Sequence, residues 1–382
     1  MHSKGNKNPK QKIKIGIVAG EKSGDELGSS LMHSLKKIFP LIDFIGIGGE
    51  KMKEAGLVSL FEMERISVMG ITEPLMKIFE LLSLRKQLKI FFSEQKPDIF
   101  VGIDSPDFNL PLSRYLKQKQ KIKTVQYVGP SIWAWREGRI KKIEQSVDKV
   151  LTLFPFESEA YKGSLVDVSF VGHPLAHRFS ENLNKTKLKA EKFPLCEKKM
   201  VALLPGSRKS EILKMSGVFM EAAKLIRDSD SSVSFYMPLT NIKFKKLIRD
   251  IKKFKWINFS EGDSQEVLAA ADIGIVTSGT ASLEAALLRT PVVVAYKTSW
   301  LTYLLVKPLL KIQQYALPNL LAGKKVLPEL IQGKVTAANL FEAFKTLEKQ
   351  NYQNTLKTFE KIHLELRAKG PNTAAKAIAE LI

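Results

Sequence analysis

Short apolar runs alternate with helix-length segments along almost the whole chain, and this alternation begins twice. In the first half the apolar runs, which we predict to be strands, lie at residues 13–19, 43–48, 98–103, 122–128, 149–154 and 169–172. In the second half the predicted strands lie at residues 200–206, 232–238, 256–260, 272–279 and 291–297. Apolar strands separated by helical segments are typical of parallel sheets that are covered by helices on both faces.

Two such series predict an α/β protein with two doubly wound, Rossmann-like domains that face each other across a cleft. We place the first domain at residues 13–175 and the second at 200–345, with the polar, lysine-rich stretch 176–199 as the linker. Residues 1–12 are predicted to be a disordered basic tail. The helical stretch 346–382 is predicted to pack back on the first domain.

Charge changes this picture more than any other feature of the composition. The 382 residues include 60 Lys and Arg against 39 Asp and Glu, a formal net charge of +21. An excess of this size favours an anionic partner such as a membrane, a phosphorylated substrate or a nucleic acid. Lysines spread over a solvated surface would give the same composition, so charge alone does not choose the partner.

The features that report on the compartment favour a cytoplasmic protein. The single cysteine, Cys196, excludes an intrachain disulfide and fits a reducing environment. The basic start of the chain leads into an apolar run that breaks at Glu21 and Lys22, so we expect no signal peptide. No run of 18 apolar residues is present in the sequence, so no transmembrane helix is expected.

The turns after the predicted strands are the candidate sites, because ligands of open α/β sheets bind beyond the carboxyl ends of the strands. The first turn is AGEKSGDELG, in which Ser23, Gly24 and Asp25 form a tight turn and a helix start. It lacks the Gly-Lys-Ser/Thr ending of a phosphate-binding P-loop. The turn is equally consistent with part of a site and with a plain connection.

A carboxylate follows the third predicted strand, in the segment VGIDSPDFN. Asp104 is placed there to accept a proton from a substrate hydroxyl, as a general base does. The alternative is that Asp104 or Asp107 only caps the helix that follows.

Aromatic and basic residues follow the next strand, in the segment YVGPSIWAWREGR. Trp133 and Trp135 are candidates for a platform under a sugar ring, and Arg136 and Arg139 for contacts to phosphate. A packed loop with an exposed basic helix would show the same residues.

The second half has two turns of the kind that hold phosphates. In LLPGSRKSEI, the N–H groups of Gly206 and Ser207 would point at an anion at the start of a helix. Arg208 would add a permanent charge with forked donors that suit a pyrophosphate. The alternative is a plain turn capped by Ser207.

The other turn lies in VTSGTASLEAALL, where a strand again enters a helix. After Ser278, Gly279 would let the backbone approach a phosphate, and Thr280 and Ser282 would donate hydrogen bonds. Glu284 is placed to accept hydrogen bonds from both ribose hydroxyls, although a capping carboxylate would look similar.

The sequence resembles the lipid-A-disaccharide synthases along nearly its whole length. The matching segments occur in the order of that family: VAGEKSGD, VMGITE, VGIDSPDFN, YVGPSIWAWR, LFPFE, VGHP, LLPGSR, SGTASLE and LPNLLAG. The resemblance implies a GT-B type glycosyltransferase without metal or cofactor, with the acceptor on the first domain and the UDP-sugar on the second. It implies transfer from UDP-2,3-diacylglucosamine to 2,3-diacylglucosamine 1-phosphate, with inversion, to give a β(1→6) disaccharide 1-phosphate and UDP.

The resemblance also implies roles for individual residues. Asp104 corresponds to the essential carboxylate of the family and would be the general base. Arg208 corresponds to its essential arginine and would bind the leaving UDP. Asn319, in LPNLLAG, corresponds to a motif asparagine of the donor site, and Glu284 to the ribose-binding glutamate of such folds. The segment KIQQYALPN departs from the pattern, since it has no acidic residue before Asn319.

Acyl-chain substrates would require the protein to reach a membrane, and we expect it to bind peripherally to the anionic inner face of the inner membrane. The segment 71–92 mixes apolar with basic residues, and Leu75, Ile78, Leu81 and Leu82 are the candidate contacts. The segment 300–312 has a similar mix. Both could instead be core helices.

Two other functions compete with this interpretation. An enzyme of the UDP-N-acetylglucosamine 2-epimerase type could use the same fold, but it would need no membrane surface. A nucleic-acid-binding protein would interleave aromatic and basic residues on one face. The basic residues are instead scattered along the sequence, so we expect no nucleic-acid partner, while a homo-oligomer remains open.

Overall fold

The computed structural model describes residues 12–66, 75–133, 137–181, 183–194, 196, 198–298, 314–350 and 352–382. These residues form two compact units, each built on one parallel sheet. The first unit contains the chain up to Pro174 and the C-terminal residues Leu366–Ile382, and the second contains Leu175–Glu365. The predicted α/β class with two doubly wound sheets is therefore confirmed.

The first unit is a sheet of parallel strands flanked by helices. Its described strands are β1 (Ile13–Ala19), β2 (Ile42–Ile47), β3 (Leu57–Ser59), β4 (Ile99–Ile103), β5 (Lys123–Tyr127), β6 (Lys149–Thr152) and β7 (Asp167–Phe170). Its helices include α1 (Lys22–Ile38), α2 (Glu50–Glu54), α3 (Leu75–Gln95), α4 (Pro106–Tyr115) and α5 (Ile140–Glu144). The strands lie in the order β3-β2-β1-β4-β5-β6-β7.

The second unit repeats this plan. Its described strands are β8 (Lys199–Leu204), β9 (Val233–Leu239), β10 (Ile257–Glu261), β11 (Ile273–Thr277), β12 (Val292–Tyr296) and β13 (Glu329–Ile331). The helices that follow α5 along the chain are α6 (Pro174–Arg178), α7 (Lys185–Lys192), α8 (Lys209–Ser229), α9 (Ser264–Ala270), α10 (Thr280–Leu287), α11 (Leu317–Ala322), α12 (Ala337–Lys349), α13 (Gln353–Arg367) and α14 (Pro371–Ala379). The strand order is β10-β9-β8-β11-β12-β13.

The central strands are buried on both faces, which explains why their sequences are apolar throughout. All five residues of β4 and all five of β11 are buried, as expected for a parallel sheet between helical layers. One core cluster joins β1 and β4 to α1 and α14, and another joins β8 and β11 to α8 and α12. Two edge strands, β3 and β13, were not predicted, because three residues are too few to show a pattern.

Each sheet has one point where the strand order reverses. In the first unit this switch point lies between β1 and β4, and in the second between β8 and β11. Ligands of open α/β sheets bind in the crevice that opens there, beyond the carboxyl ends of the strands. Four of the five candidate turns leave the sheets at these points. AGEKSGD follows β1, DSPDFN follows β4, PGSR follows β8 and SGT follows β11.

The segment 176–199 is more than the linker that the sequence suggests. The Lys185 Nζ donates to the Ala271 carbonyl at 3.0 Å and to the Thr290 hydroxyl at 2.5 Å. The Lys189 Nζ contacts the Asp272 carboxylate at 2.6 Å. These lysines bind backbone and side-chain oxygens of the second unit, so their charge serves packing and the segment belongs to that unit.

The C-terminal boundary also differs from the predicted residue 346. Helix α13 clusters with the second unit through Glu365, where the His363 ring contacts the Ala176 carbonyl at 2.9 Å. The first unit takes up the chain again only from Leu366. There α14 packs against α1, with Ala374 and Ile378 fully buried in the core of the first sheet.

Candidate functional site

A cavity of about 680 Å³ opens at the switch point of the second unit. This volume lies within the range of small-molecule sites, roughly 300–1,000 Å³. Seven residues that the sequence predicts for donor binding line it: Gly206, Ser207, Arg208, Ser278, Gly279, Thr280 and Glu284. The two phosphate-type turns are far apart in sequence, and the pairing of β8 with β11 places them side by side.

Two glycines give these turns their shape. Gly206 has φ +116° and Gly279 has φ +145°, which are conformations that residues with a Cβ rarely adopt. A Cβ on Gly206 would meet Glu211 at 2.5 Å, whereas a Cβ on Gly279 would meet nothing within 4 Å. The backbone at Gly279 therefore faces open space in the cavity, where a ligand can approach it closely.

The Ser207 N–H in the PGSR turn does not face an open anion site as predicted. It donates, together with the Arg208 N–H, to one carboxylate oxygen of Glu211, at 2.9 and 3.1 Å. Glu211 lies in the first turn of α8 and caps that helix. The Arg208 side chain of the same turn is exposed and lines the cavity.

The start of helix α10 supplies the second phosphate-type surface. The first N–H groups of a helix have no partner within it, and the dipole makes this end positive. Gly279, Thr280 and Ala281 line the cavity at this end. The Ser282 hydroxyl, in contrast, is fully buried and donates to the Gly279 carbonyl at 2.8 Å, so it shapes the turn instead of facing a ligand.

Glu284 lies one turn further along α10 and also lines the cavity. One of its oxygens accepts a hydrogen bond from the Gln265 side chain at 2.8 Å, which sets the orientation of the carboxylate. Burial raises the pKa of Glu284 above its ordinary value, and the bond from Gln265 opposes this shift. Gln265 is a contributor to the site that the sequence did not indicate, because it comes from a different helix.

Asn319 is fully buried and does not line this cavity. Its amide group donates to the Leu327 carbonyl and to Glu329, and its oxygen accepts from the N–H groups of Val326 and Leu327, all at 2.7–2.9 Å. Glu329 also accepts from the N–H groups of Tyr315 and Ala316. Because the four bonds use the full capacity of the amide, Asn319 holds the segment that brings Tyr315 to the cavity wall.

In the first unit, Asp104 lies at the carboxyl end of β4, beside the switch point. Its carboxylate is partly buried, and desolvation raises the pKa of Asp104 above its ordinary value. The backbone is strained there, with φ +50° at Asp104, +41° at Ser105 and +74° at Val128 after the neighbouring strand. Such conformations cost energy and cluster at functional sites.

Two buried amides hold the strained turn in place. The side chains of Asn109 and Gln126 each donate to the Asp104 carbonyl at 2.9 Å. Gln126 also donates to the Val128 carbonyl at 3.3 Å, so it connects the ends of β4 and β5. Asp104 is therefore fixed by residues on two other elements, and neither was assigned a role from the sequence.

The AGEKSGD turn leaves the sheet next to Asp104, since Ala19 pairs with Ile103. Gly24 is buried, and Ser23 is exposed. The Asp25 carboxylate is buried and accepts from the N–H groups of Lys51 and Met52, at 3.1 and 3.0 Å. Asp25 thus caps helix α2, and this structural role accounts for its position.

An aromatic cluster lies beyond the carboxyl ends of β5 and β6. The Trp133 ring meets Phe156 edge to face at 4.9 Å, and Phe156 stacks on Phe154 at 5.4 Å. The Trp133 Nε1 donates to Glu157 at 3.2 Å, and the other Glu157 oxygen accepts from the N–H groups of Leu153 and Phe154. Glu157 thus fixes Trp133, while Trp135 lies outside the described residues.

This buried carboxylate predicts a pH-dependent stability. Burial raises the pKa of Glu157 to about 7, against the N–H donors, which lower it. Its stabilising contribution is therefore fully present below the unfolded pKa of about 4.5 and is lost as pH rises through 7. The side chain of the Glu157→Gln variant cannot ionise, so the variant escapes this loss. The difference in unfolding free energy, variant minus parent, should therefore rise by roughly 3 kcal/mol from pH 4.5 to pH 8. Urea unfolding of both proteins across this range tests it, and a pH-independent difference would contradict it.

The predicted membrane residues divide into two groups on α3. Ile78 and Leu82 are 52% and 50% exposed, and Phe79 beside them is 70% exposed. Leu81 is partly buried and packs on the core cluster that contains Leu84, Leu88 and Phe92. The side chain of Leu75 and the segment 299–313 lie outside what the structure describes. Helix α3 therefore has a core face and, in its N-terminal half, an exposed apolar face.

Within the described ranges, no helix is long and apolar enough to cross a bilayer. Nor does any group of three or more His, Cys, Asp or Glu side chains lie together in a way that could hold a metal ion, as far as the described residues go.

Known proteins match this chain in sequence over nearly its full length. A model of the lipid-A-disaccharide synthetase family matches residues 15–382. The lipid-A-disaccharide synthase of Cellvibrio japonicus is 44% identical over 376 residues, which cover 97% of this chain and 97% of that protein.

Solved structures match the fold at low sequence identity. The glycotransferase of kitacinnamycin superposes with a TM-score of 0.65 at 16% identity and covers 97% of this chain and 100% of its own. The UDP-GlcNAc 2-epimerase of Neisseria meningitidis, bound to UDP-GlcNAc, superposes with a TM-score of 0.59 at 15% identity and covers 97% and 99%. Both show the same two-sheet architecture and nothing finer.

Proposed function

The chain belongs to the lipid-A-disaccharide synthase family and is a glycosyltransferase of lipid A biosynthesis, and we propose that it joins UDP-2,3-diacylglucosamine to 2,3-diacylglucosamine 1-phosphate. The products are the β(1→6)-linked disaccharide 1-phosphate and UDP, with the configuration at the donor carbon inverted. The observation that carries the proposal is the cavity of the second unit, where a permanently charged arginine, a helix N-terminus and an oriented carboxylate line one space.

This cavity suits a nucleoside diphosphate. Arg208 and the start of α10 are positive and suit the two phosphates, while Glu284, oriented by Gln265, suits the ribose hydroxyls. As the bond from the donor sugar to UDP breaks, negative charge develops on the leaving phosphate. Stabilising this charge with groups already in place is usually the largest catalytic contribution.

The first unit supplies the base. In the proposed reaction, the acceptor 6-hydroxyl attacks carbon 1 of the donor sugar, its proton passes to Asp104, and UDP leaves with the bonding electrons. The partial burial that raises the pKa of Asp104 makes its carboxylate a stronger base than an exposed one. The bonds from Asn109 and Gln126 keep the residue in its strained conformation.

A labelled UDP-diacylglucosamine assay, with and without the acyl-sugar phosphate acceptor, tests this proposal. We expect a disaccharide 1-phosphate and free UDP in equal amounts, and only when both substrates are present. Conversion of the UDP-sugar to an epimer without an acceptor would instead support the 2-epimerase interpretation and contradict the transferase.

We further propose that the exposed apolar face of α3 docks on an anionic membrane from the cytoplasmic side. Ile78, Phe79 and Leu82 are exposed at one end of the helix, and the exposed Lys86 follows one turn later. Apolar side chains next to cations suit the headgroup region of a bilayer. The same face would give the enzyme access to acyl-chain substrates.

The double variant Ile78→Ser/Leu82→Ser tests this docking. Both side chains are about half exposed, so their removal should weaken binding to phosphatidylglycerol vesicles about tenfold or more while the fold is retained. The matched control is Leu41→Ser/Ile90→Ser, since Leu41 and Ile90 are each 52% exposed. Vesicle co-sedimentation measures binding, and equal loss in both double variants would contradict a specific membrane face.

A further inference from the structure

Two arginines from different elements converge on the first turn of helix α4, next to Asp104. The Arg85 guanidinium, from α3, donates to the Asp107 carbonyl at 3.0 Å. The Arg139 guanidinium, from the turn before α5, contacts the Asp107 carboxylate at 2.5 Å. Both cations thus reach the same residue, and they concentrate positive charge three residues from the proposed base.

These arginines retain capacity for an anion. The Arg85 side chain is partly exposed; within the described part of the chain its guanidinium donates one hydrogen bond, to the Asp107 carbonyl, and lies over the Phe108 ring at 5.2 Å. Desolvation lowers the pKa of Arg85, so an anion nearby would relieve a cost that the fold already carries. The Asp107 side chain is 78% exposed and the Arg139 side chain 29%, so the ion pair is open to solvent on the Asp107 side. A phosphate dianion can approach from that side and compete with the carboxylate for Arg139.

The surroundings indicate which anion this would be. Leu82 and Arg85 are three residues apart on α3, so they are neighbours on one face, with their Cα atoms about 4.5 Å apart along the helix axis. The half-exposed apolar surface at Ile78 and Leu82 therefore lies next to Arg85. Asp107, which both arginines contact, is three positions from Asp104 along the chain. The Cα atoms of these two residues are therefore at most roughly 11 Å apart.

We propose that Arg85 and Arg139 form a binding site for a phosphate monoester, the phosphate of the acyl-sugar acceptor. This inference rests on the acceptor named in the proposed function. In such an acceptor the acyl chains, the phosphate and the reactive hydroxyl lie at different positions around one sugar ring. On the protein, the apolar face of α3, the arginine pair and Asp104 come in the corresponding order. One acceptor molecule can therefore place its acyl chains, its phosphate and its hydroxyl at these three places. Forked guanidinium donors match the oxygens of a phosphate.

The test compares affinity for 2,3-diacylglucosamine 1-phosphate with affinity for 2,3-diacylglucosamine, both in detergent micelles, by tryptophan fluorescence titration. The parent should bind the phosphorylated sugar more tightly. In Arg85→Gln and in Arg139→Gln this selectivity ratio should fall about 10- to 100-fold. Arg85→Lys, which keeps the charge and loses the fork, should retain part of it. Arg114→Gln removes an exposed arginine from the other end of α4 and should keep the parental ratio.

The outcomes separate this site from its alternatives. If the two Gln variants bind both sugars more weakly by the same factor, the arginines are structural and the proposal is overturned. It is also overturned if the ratio stays parental while binding to phosphatidylglycerol vesicles falls, because the anion is then a membrane headgroup. A parent that binds the phosphorylated sugar through Arg85 but forms no disaccharide would contradict the proposed reaction and keep this site.

Discussion

Replacing Asp104 by Asn should lower kcat by about 10²- to 10⁴-fold, because the amide keeps the shape of the carboxylate and cannot accept the acceptor's proton. The variant should fold normally, since the bonds from Asn109 and Gln126 reach the Asp104 carbonyl, and an amide oxygen can still accept the bond that the Ser105 N–H makes to the carboxylate. Steady-state kinetics measure the change, and unchanged UDP binding would show that the donor site is intact.

The pH profile gives a second expectation for the same residue. Because burial raises the pKa of Asp104, kcat/KM of the parent should fall on the acidic side at a pH above the ordinary carboxyl value of 3.8. Asp43→Asn is the control, because Asp43 is a partly exposed carboxylate that pairs with Lys12. It lies at the amino end of β2, whereas Asp104 lies at the carboxyl end of β4. If Asp104→Asn turns over at a near-parental rate, the base lies elsewhere, and Asp107 should be tested next.

Replacing Arg208 by Ala should weaken UDP binding about 10- to 150-fold, the equivalent of about 1.5–3 kcal/mol for a hydrogen bond to a charged group. The effect on turnover should be larger, since the charge on UDP grows as the sugar leaves. Calorimetric titration with UDP measures the first quantity, and initial rates at saturating substrates measure the second.

Lys214→Ala is the matched control for Arg208, because Lys214 is an exposed cation on α8 that does not line the cavity. Its removal changes the net charge by the same amount and should leave UDP affinity within about twofold, as expected for a screened surface charge. Equal UDP affinity in Arg208→Ala and in the parent would show that the nucleotide is held at a different place.

The turns on which these predictions depend were visible in the sequence because their signals are local. A buried parallel strand is apolar throughout, and a phosphate-type turn needs glycine and small polar residues at its end. Asp104, Arg208 and Glu284 each lie directly after such a strand or one helical turn later, so position alone marked them. The observed strand order then places the turns after β1, β4, β8 and β11 at the two switch points.

The partners of these residues were decided only by the tertiary structure. Asn109 and Gln126 reach Asp104 from another helix and another strand, and Gln265 reaches Glu284 from a neighbouring helix. Gln126 and Gln265 lie 22 and 19 residues from the residues they contact, so these two pairs depend on how the elements pack and not on a local spacing.

The sequence by itself therefore determined the two parallel sheets, the turns at their carboxyl ends and the residue types that carry the chemistry, because each depends on a few adjacent residues. The tertiary structure decided which face of α3 is core and which is exposed, and that Lys185 belongs to the packing of the second unit. It also brought Arg85 and Arg139 to one residue. The burial of a side chain, and the meeting of two arginines at one residue, depend on contacts between segments that are far apart in sequence. The pattern of residues along the chain does not specify which distant segments come into contact.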